Sequence, residues 1–317
     1  MQRVASAAWA ADCRIRPWAL GGRRSVSLTG RVGCPAPFCP MPKPQRRLDR
    51  LAWPEVRAGL LQEGATVVWP FGACEQHGPQ LPLATDALFA ERILAAVLER
   101  LPEALPVWSL PVQAIGFSPE HLGFPGTLSL SAELLMRLVE EVGCQLADAG
   151  VQRLVLLNAH GGQIALLQTA ARSLRASRPA LAVLPCFLWA GVDGIRDLIP
   201  APELQTGLHA GLAETSLMLQ LAPDLVGSER PVDGEHQRVD AAVTPPAGWS
   251  LEGEAPWAWM SRDLSDSGVI GDSRGASRSL GEALEAALVN HWCDRLERLL
   301  VSDWPPRPEA TGSVPRW

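Results

Sequence analysis

The sequence predicts an α/β fold: a single layered domain in which a mostly parallel sheet is flanked by helices on both faces. Three observations carry that expectation. Short runs rich in β-branched and apolar residues, such as TVVWPF and RLVLLN, alternate with segments of helical period. The helical segments between them are long enough to serve as crossovers between parallel strands. A content of 47% hydrophobic and 20% charged residues over 317 positions also suffices to fill one sizeable core.

Taken in order, LDRLAWPEVRAGLL (48–61) has apolar residues at helical spacing, and ATVVWPFGA (65–73) is a short buried strand ending in a small-residue turn. Residues 85–101 are helical in period and composition, and LPVWSLPVQAI (105–115) is expected to be a strand with irregular ends. A helix over 131–150 opens on Ser131 and Glu133 and closes on Gly150, the residues that helix termini favour. The alternation continues with a strand in VQRLVLLN (151–158), a helix in GGQIALLQTAARSLRAS (161–177), a strand in ALAVLPCFLWA (180–190) and a helix in LAETSLMLQLA (212–222). Residues 228–262, which include PPAGWSLEGEAPWAWM, break the pattern and are expected to form a long surface excursion at a subunit contact or over the site. A last helix follows over 277–300.

These elements place the domain at 46–305, with a loose tail over 306–317. Residues 1–45 differ in character: Arg3, Arg14, Arg16, Arg23, Arg24 and Arg31 stand against the single acid Asp12. That composition suits a transit-type segment, or a disordered or spurious extension ahead of a start at Met41.

Composition excludes several classes of function. A net charge of −6 and an isoelectric point near 5.6 oppose a nucleic-acid footprint, which needs a dense basic face. No apolar run is long enough to span a bilayer, so the expectation is a soluble protein with no membrane partner and a small-molecule substrate. Seven cysteines with no C-x-x-C pair point to free thiols in a reducing, cytoplasmic compartment.

Ligands of open α/β sheets bind beyond the carboxyl ends of the strands, and two motifs fall there. Glu75 and His77 follow TVVWPF two residues apart, so an extended backbone projects both to one side. Asp86 opens the next helix after a loop stiffened by Pro79 and Pro82. In LVLLNAHGGQ, Asn158 and His160 end a strand, and Gly161 and Gly162 allow a close turn into a helix. Each histidine alone has an ordinary structural role open to it. Together, carboxylates and imidazoles at adjacent strand ends suit Zn²⁺, Mn²⁺ or Fe²⁺.

The blocks ACEQHGPQLPLATD, SPEHLGFPGTLSLS, NAHGGQ, HAGLAETSLML and GVIGDSRGAS resemble, in order, the signature blocks of the creatininase family of metal-dependent amidohydrolases. The resemblance implies two divalent ions per subunit, zinc foremost, with Asp86 bridging them, Glu75 and His160 on one and His77 on the other. Such a pair lowers the pKa of a shared water, and the resulting hydroxide attacks the carbonyl of an amide. It further implies His209 as catalytic acid and base and Glu214 as second-metal ligand or orienting group, although a helix-terminal carboxylate would read the same way. Glu120 and His121 are expected to line the substrate pocket or to serve the turn. A homo-oligomer, typically a hexamer, is also implied.

Creatinine-specific members carry a tyrosine–glutamate pair after the metal histidine, where this chain has Gly161 and Gly162, and a gating tryptophan where it has Gln205. Gln80 also replaces a histidine common in the family. The H-G-G form is closer to relatives that open formamides or trim a modified peptide. The first expectation is therefore hydrolysis of a C–N bond in a small linear or cyclic amide other than creatinine. The alternatives are a peptidase of a peptide-derived cofactor pathway, a non-catalytic metal-binding homologue and a sugar-ring hydrolase.

Overall fold

The computed structural model describes residues 45–234, 248–251 and 253–305. The expectations for residues 1–44 and 306–317, and for the middle of the 228–262 excursion, lie outside the described residues.

Four strands, β1 (Thr66–Phe71), β2 (Val107–Ser109), β3 (Arg153–Asn158) and β4 (Ala182–Phe187), form one sheet in the order β2-β1-β3-β4. Every pairing is parallel. Strands β1 and β3 are buried at every position, as central strands covered on both faces must be. Their side chains alternate: Val67, Trp69, Phe71, Leu154 and Leu156 enter one apolar cluster, and Val68, Val155 and Leu157 enter the other.

The helices divide accordingly. α1 (Trp53–Leu60), α3 (Ala132–Asp148) and α4 (Ile164–Ser177) cover the first face; α2 (Thr85–Arg100), α7 (Leu212–Leu221) and α9 (Arg278–Leu300) cover the second. Ser131 and Ser277 cap α3 and α9, accepting hydrogen bonds from Leu134 N and Leu280 N. Short helices α5 (Ile195–Leu198), α6 (Ala201–Thr206) and α8 (Ser261–Leu264) and a two-residue ribbon of β5 (Val232–Asp233) with β6 (Gly271–Asp272) complete the described chain.

The strand expected over 105–115 pairs regularly only at 107–109. Pro111 has no N–H to donate, so pairing beyond Ser109 continues through single bonds, such as Gln113 N to the Pro70 carbonyl at 2.9 Å. Among the described residues no helix is long and apolar enough to cross a membrane, and Cys74, Cys144, Cys186 and Cys293 are free.

Helices α7 and α9 meet at Gly281, where an added Cβ would fall 2.0 Å from the Ser216 carbonyl oxygen. Backbone cannot yield as a flexible side chain can. Gly281→Ala is thus expected to destabilise the fold by roughly 1–3 kcal/mol despite its helix propensity, read as a lower denaturation midpoint at unchanged m.

The chain leaves β1 for β2 on one side and returns to pair β3 on the other. The carboxyl ends of β1 and β3 therefore flank a topological switch point, where a crevice opens.

Candidate metal centre

The loop after β1 doubles back on itself. Glu75 N–H donates to the Leu83 carbonyl at 3.1 Å, His77 bridges Leu81, and Gly78 supplies a left-handed φ of 66°. Gly72 lets the end of β1 press against the start of α2: a Cβ there would lie 2.4 Å from Ala87 N. These two features bring Asp86 beside Glu75 and His77. After β3, the Asn158 side chain grips His160 from both ends, its Nδ2 donating to the His160 carbonyl at 2.7 Å and its Oδ1 accepting from His160 N at 3.0 Å. Gln163 joins the two loops, donating to the Gly72 carbonyl at 3.0 Å and to Asn158 Oδ1 at 2.8 Å.

His209 comes from farther along the chain. Its backbone pairs with Ile270 at 3.0 and 2.8 Å, which gives the GVIGDSRGAS block a physical purpose. Asp272 of that block pairs instead with Arg274. The next residue, Ala210, is fully buried with a φ of 53°, a conformation costly for a residue with a Cβ. Gln80 Nε2 donates to its carbonyl at 2.8 Å and helps hold it there.

The side chains converge. Asp86 Oδ1 lies 3.4 Å from His77 Nε2 and Oδ2 lies 3.3 Å from His160 Nδ1, so one carboxylate faces two histidines. Glu75 Oε2 is 3.2 Å from His160 Nδ1, and Glu214 Oε2 is 4.0 Å from His77 Nε2. Glu120 and His121 also reach the cluster, at 3.3 Å from His160 Nε2 and 3.6 Å from Glu75 Oε1. His209 Nδ1 lies 3.9 Å from Glu75 Oε1, so all eight residues singled out in the sequence meet in one small volume, with Glu75, His77, Asp86, His121, His160 and His209 buried.

Hydrogen bonds fix how three of the histidines present themselves. His77 Nδ1 donates to the Glu75 carbonyl at 3.2 Å, His160 Nε2 to the Phe117 carbonyl at 3.0 Å, and His209 Nε2 to the Gln76 carbonyl at 2.7 Å. A carbonyl only accepts, so each outer nitrogen carries the proton and each neutral ring aims a lone pair inward, as metal-ligating histidines do. Glu75 Oε2, His77 Nε2 and Asp86 Oδ2 are buried without hydrogen-bond partners. Orphaned acceptors of this kind are costly in an interior unless a cation takes them up. The donor set therefore fits a divalent ion: Glu75, Asp86 and His160 form one cluster close enough to hold it, and His77, Asp86 and Glu214 form another.

Without an ion, protons answer the same charges. Burial opposes a charge on His77, yet Asp86, Glu214 and Glu75 outweigh it and raise the ring to about 9. His160 is likewise held well above its ordinary value, against burial, by Glu75, Asp86 and Glu120. Asp86 is pulled far below the usual carboxylate range by His77 and His160, although burial pushes the other way. Desolvation carries Glu214 up to about 7, with His77 opposing and Asp86 adding. His209 is pushed well below its ordinary value by burial, then by His77 and His121.

Two positions bear on the departures noted in the sequence. A Cβ on Gly162 would lie 1.8 Å from Glu120 Oε1, so the Glu120 carboxylate fills the space into which a side chain at 162 would project. Glu214 accepts from Ala210 N at 2.6 Å and faces His77, while the orienting partner of His209 is the Gln76 carbonyl. Gln76, Gln163 and Ser261 are not among the residues the sequence singles out. Gln76 and Gln163 flank predicted ligands in the chain, which is the one signal that could have found them.

The cluster forms the floor of a cavity of about 670 Å³, walled by Phe117, Phe187, Trp189, Leu208, Trp257 and Trp259 among others. Leu251 and the tryptophans at 257 and 259 belong to the described part of the 228–262 excursion, and these residues line the site.

A parallel α/β sheet with imidazole and carboxylate donors at its switch point defines a class of metal-capable α/β proteins. The chain belongs to the creatininase family, whose family model, described as creatinine amidohydrolase, matches residues 49–296. The mycofactocin precursor peptide peptidase of Mycobacterium tuberculosis (strain CDC 1551 / Oshkosh) is 34% identical over 259 residues, covering 77% of this chain and 88% of that protein. The creatinine amidohydrolase of Pseudomonas putida is 32% identical over 200 residues, covering 59% of this chain and 75% of that one. A solved structure described as creatininase Mn superposes with a TM-score of 0.65 at 26% identity, over 82% of this chain and 100% of the other. These homologues are hydrolases acting on carbon–nitrogen bonds, and the fold, family and enzyme class expected from the sequence all hold.

Proposed function

We propose that this chain is a metal-dependent amidohydrolase that cleaves an amide C–N bond in a peptide-derived substrate. The observation that carries this reading is a set of inward-facing imidazole and carboxylate donors at the floor of a cavity of about 670 Å³. Glu75, Asp86 and His160 would hold one divalent ion, and His77, Asp86 and Glu214 a second, with Asp86 common to both. Glu214 supplies the carboxylate that Gly162 lacks. Mixed nitrogen and oxygen donors suit zinc first, then manganese or iron. Bound there, divalent ions lower the pKa of water and polarise a carbonyl. His209, neutral and with Nδ1 turned inward, takes up the proton released as water attacks and returns it to the departing nitrogen. Glu120 and His121 face the substrate.

The choice of a peptide over the small amide first expected is supported by the aromatic walls of the cavity, which suit a substrate carrying apolar side chains. Similarity to a peptide peptidase across 88% of that protein supports the same choice. We also propose a homo-oligomer of the hexameric kind that the family resemblance implies, in which exposed apolar side chains such as Trp53 and Leu61 are available for subunit contacts. A cytoplasmic location is supported by the free thiols of the described cysteines. The decisive experiment offers zinc-loaded protein short peptides with apolar side chains and, separately, creatinine and small formamides, and follows products by mass. Cleavage of a peptide with addition of one water is expected; turnover of creatinine or formamide alone would overturn the substrate class. Binding of metal with no hydrolysis of any amide would favour the non-catalytic alternative.

A further inference from the structure

Three of the four histidines around the site turn a lone pair inward, and the fourth does the opposite. His121 is buried at the cavity floor with Nε2 3.6 Å from Glu75 Oε1. Its outer nitrogen, Nδ1, meets Gln76 Nε2 at 2.8 Å and the Ser261 hydroxyl at 2.7 Å. A hydroxyl either donates or accepts, so Ser261 suits both tautomers. Gln76 does not. Its Nε2 donates to the Gly268 carbonyl at 3.0 Å, and its Oε1 accepts from Gly78 N at 2.9 Å. Flipping that amide would set oxygen against carbonyl oxygen and N–H against N–H, so the network fixes its orientation.

The second hydrogen of Gln76 Nε2 therefore points at His121 Nδ1, and an N–H on that nitrogen would meet it head-on. Nδ1 is the acceptor, and the ring proton sits on Nε2. At 3.6 Å, Glu75 Oε1 is beyond hydrogen-bond distance of that proton, and among the described residues no other acceptor takes it. The lock is itself anchored: Gly268 N donates to Ser265 Oγ at 2.9 Å, and the Asp233 carboxylate accepts from Ser265 Oγ, Asp266 N and Ser267 N at 2.9, 3.1 and 3.0 Å.

We propose that His121 is the fixed hydrogen-bond donor to the carbonyl oxygen of the substrate amide, held in its Nε2–H form by Gln76, and is not a metal ligand. This rests on the amide-hydrolysing reading above. Glu75, Glu120 and His121 offer atoms close enough together for an ion, but the His121 atom has no lone pair to give. As water adds to the carbonyl carbon, negative charge grows on its oxygen, and a donor already aimed there strengthens without reorganising. The proton stays on Nε2 throughout. The His121 ring lies against that of His209, tilted by 33° with centroids 4.2 Å apart, which sets an N–H donor beside the inward-facing base. Gln76 and Ser261 are positioning residues.

The test uses zinc-loaded protein labelled with nitrogen-15 histidine, in which long-range proton–nitrogen spectra report the tautomer of each ring. His121, identified by the signal lost in His121→Gln, is expected to show an unprotonated Nδ1 and a protonated Nε2; a protonated Nδ1 or a zinc-coordinated Nε2 overturns the proposal. With a cleaved peptide, His121→Leu is expected to lower kcat roughly 10²-fold at unchanged zinc content and with little change in KM. His121→Gln, which returns an N–H near the position of Nε2, should recover much of that loss. Loss of zinc in His121→Leu, or an unchanged kcat, contradicts the donor role. Wild-type protein that cleaves no amide removes the underlying reading, whereas cleavage with the wrong tautomer removes this proposal alone.

Discussion

Asp86→Asn is expected to lower turnover at least about 10³-fold, or roughly 4 kcal/mol of transition-state stabilisation, and to strip the protein of most of its bound metal. The reason lies in the division of labour within one carboxylate. Its two oxygens stand 3.4 Å from His77 Nε2 and 3.3 Å from His160 Nδ1, so both candidate ion positions draw on it. Asparagine keeps the shape but offers one neutral acceptor and one donor, and an amide N–H aimed at a cation is repelled. Because the substitution preserves volume, the fold is expected to persist, and the loss should appear in metal-dependent quantities. Elemental analysis should find less than one ion per chain. The rise in Tm that metal gives the wild-type protein, which follows from binding the native state alone, should nearly vanish. Two retained ions and an intact rate would refute the shared role of Asp86.

Much of this arrangement was legible in the sequence because it depends on short-range spacing. An E-x-H pair directly after an apolar strand, and a histidine two residues beyond another, place their side chains by the geometry of a strand end. The length of the helical crossovers made the sheet parallel, and order β2-β1-β3-β4 then set both motifs at the switch point. What could not be read was long-range. Ser261 reaches His121 across 140 positions, and Gln76 reaches the Gly268 carbonyl across 192. No periodicity encodes such pairings. The strand over 105–115 was overestimated because apolar composition signals burial, whereas Pro111 governs hydrogen bonding. The purpose of GVIGDSRGAS has no side-chain signature for a related reason: its contribution to the site is the backbone of Ile270, which pins His209, and a backbone contact leaves no mark on side-chain identity.

Metal loading is expected to strengthen steadily as pH is raised from about 6 to about 9, and the sign follows from which groups hold protons in the metal-free protein. His77 is raised from 6.5 to about 9, so the stability its charged form contributes is complete below pH 6.5 and is lost as pH climbs through 9. Glu214 is raised from 4.5 to about 7, so the folded state favours its protonated form and loses stability as pH rises through 7. Both trends weaken the metal-free protein over this window. A divalent ion must displace the same protons, so its apparent affinity gains roughly tenfold per pH unit for each proton released. The two effects act together: the increment in Tm produced by manganese over a chelator control should widen from pH 6 to pH 9, and calorimetry in buffers of different ionisation enthalpy should detect proton release near pH 7. A site built from ordinary carboxylates alone would saturate above about pH 5. An increment that stays flat across the window would therefore mean that His77 Nε2 and Glu214 are not where the ion binds.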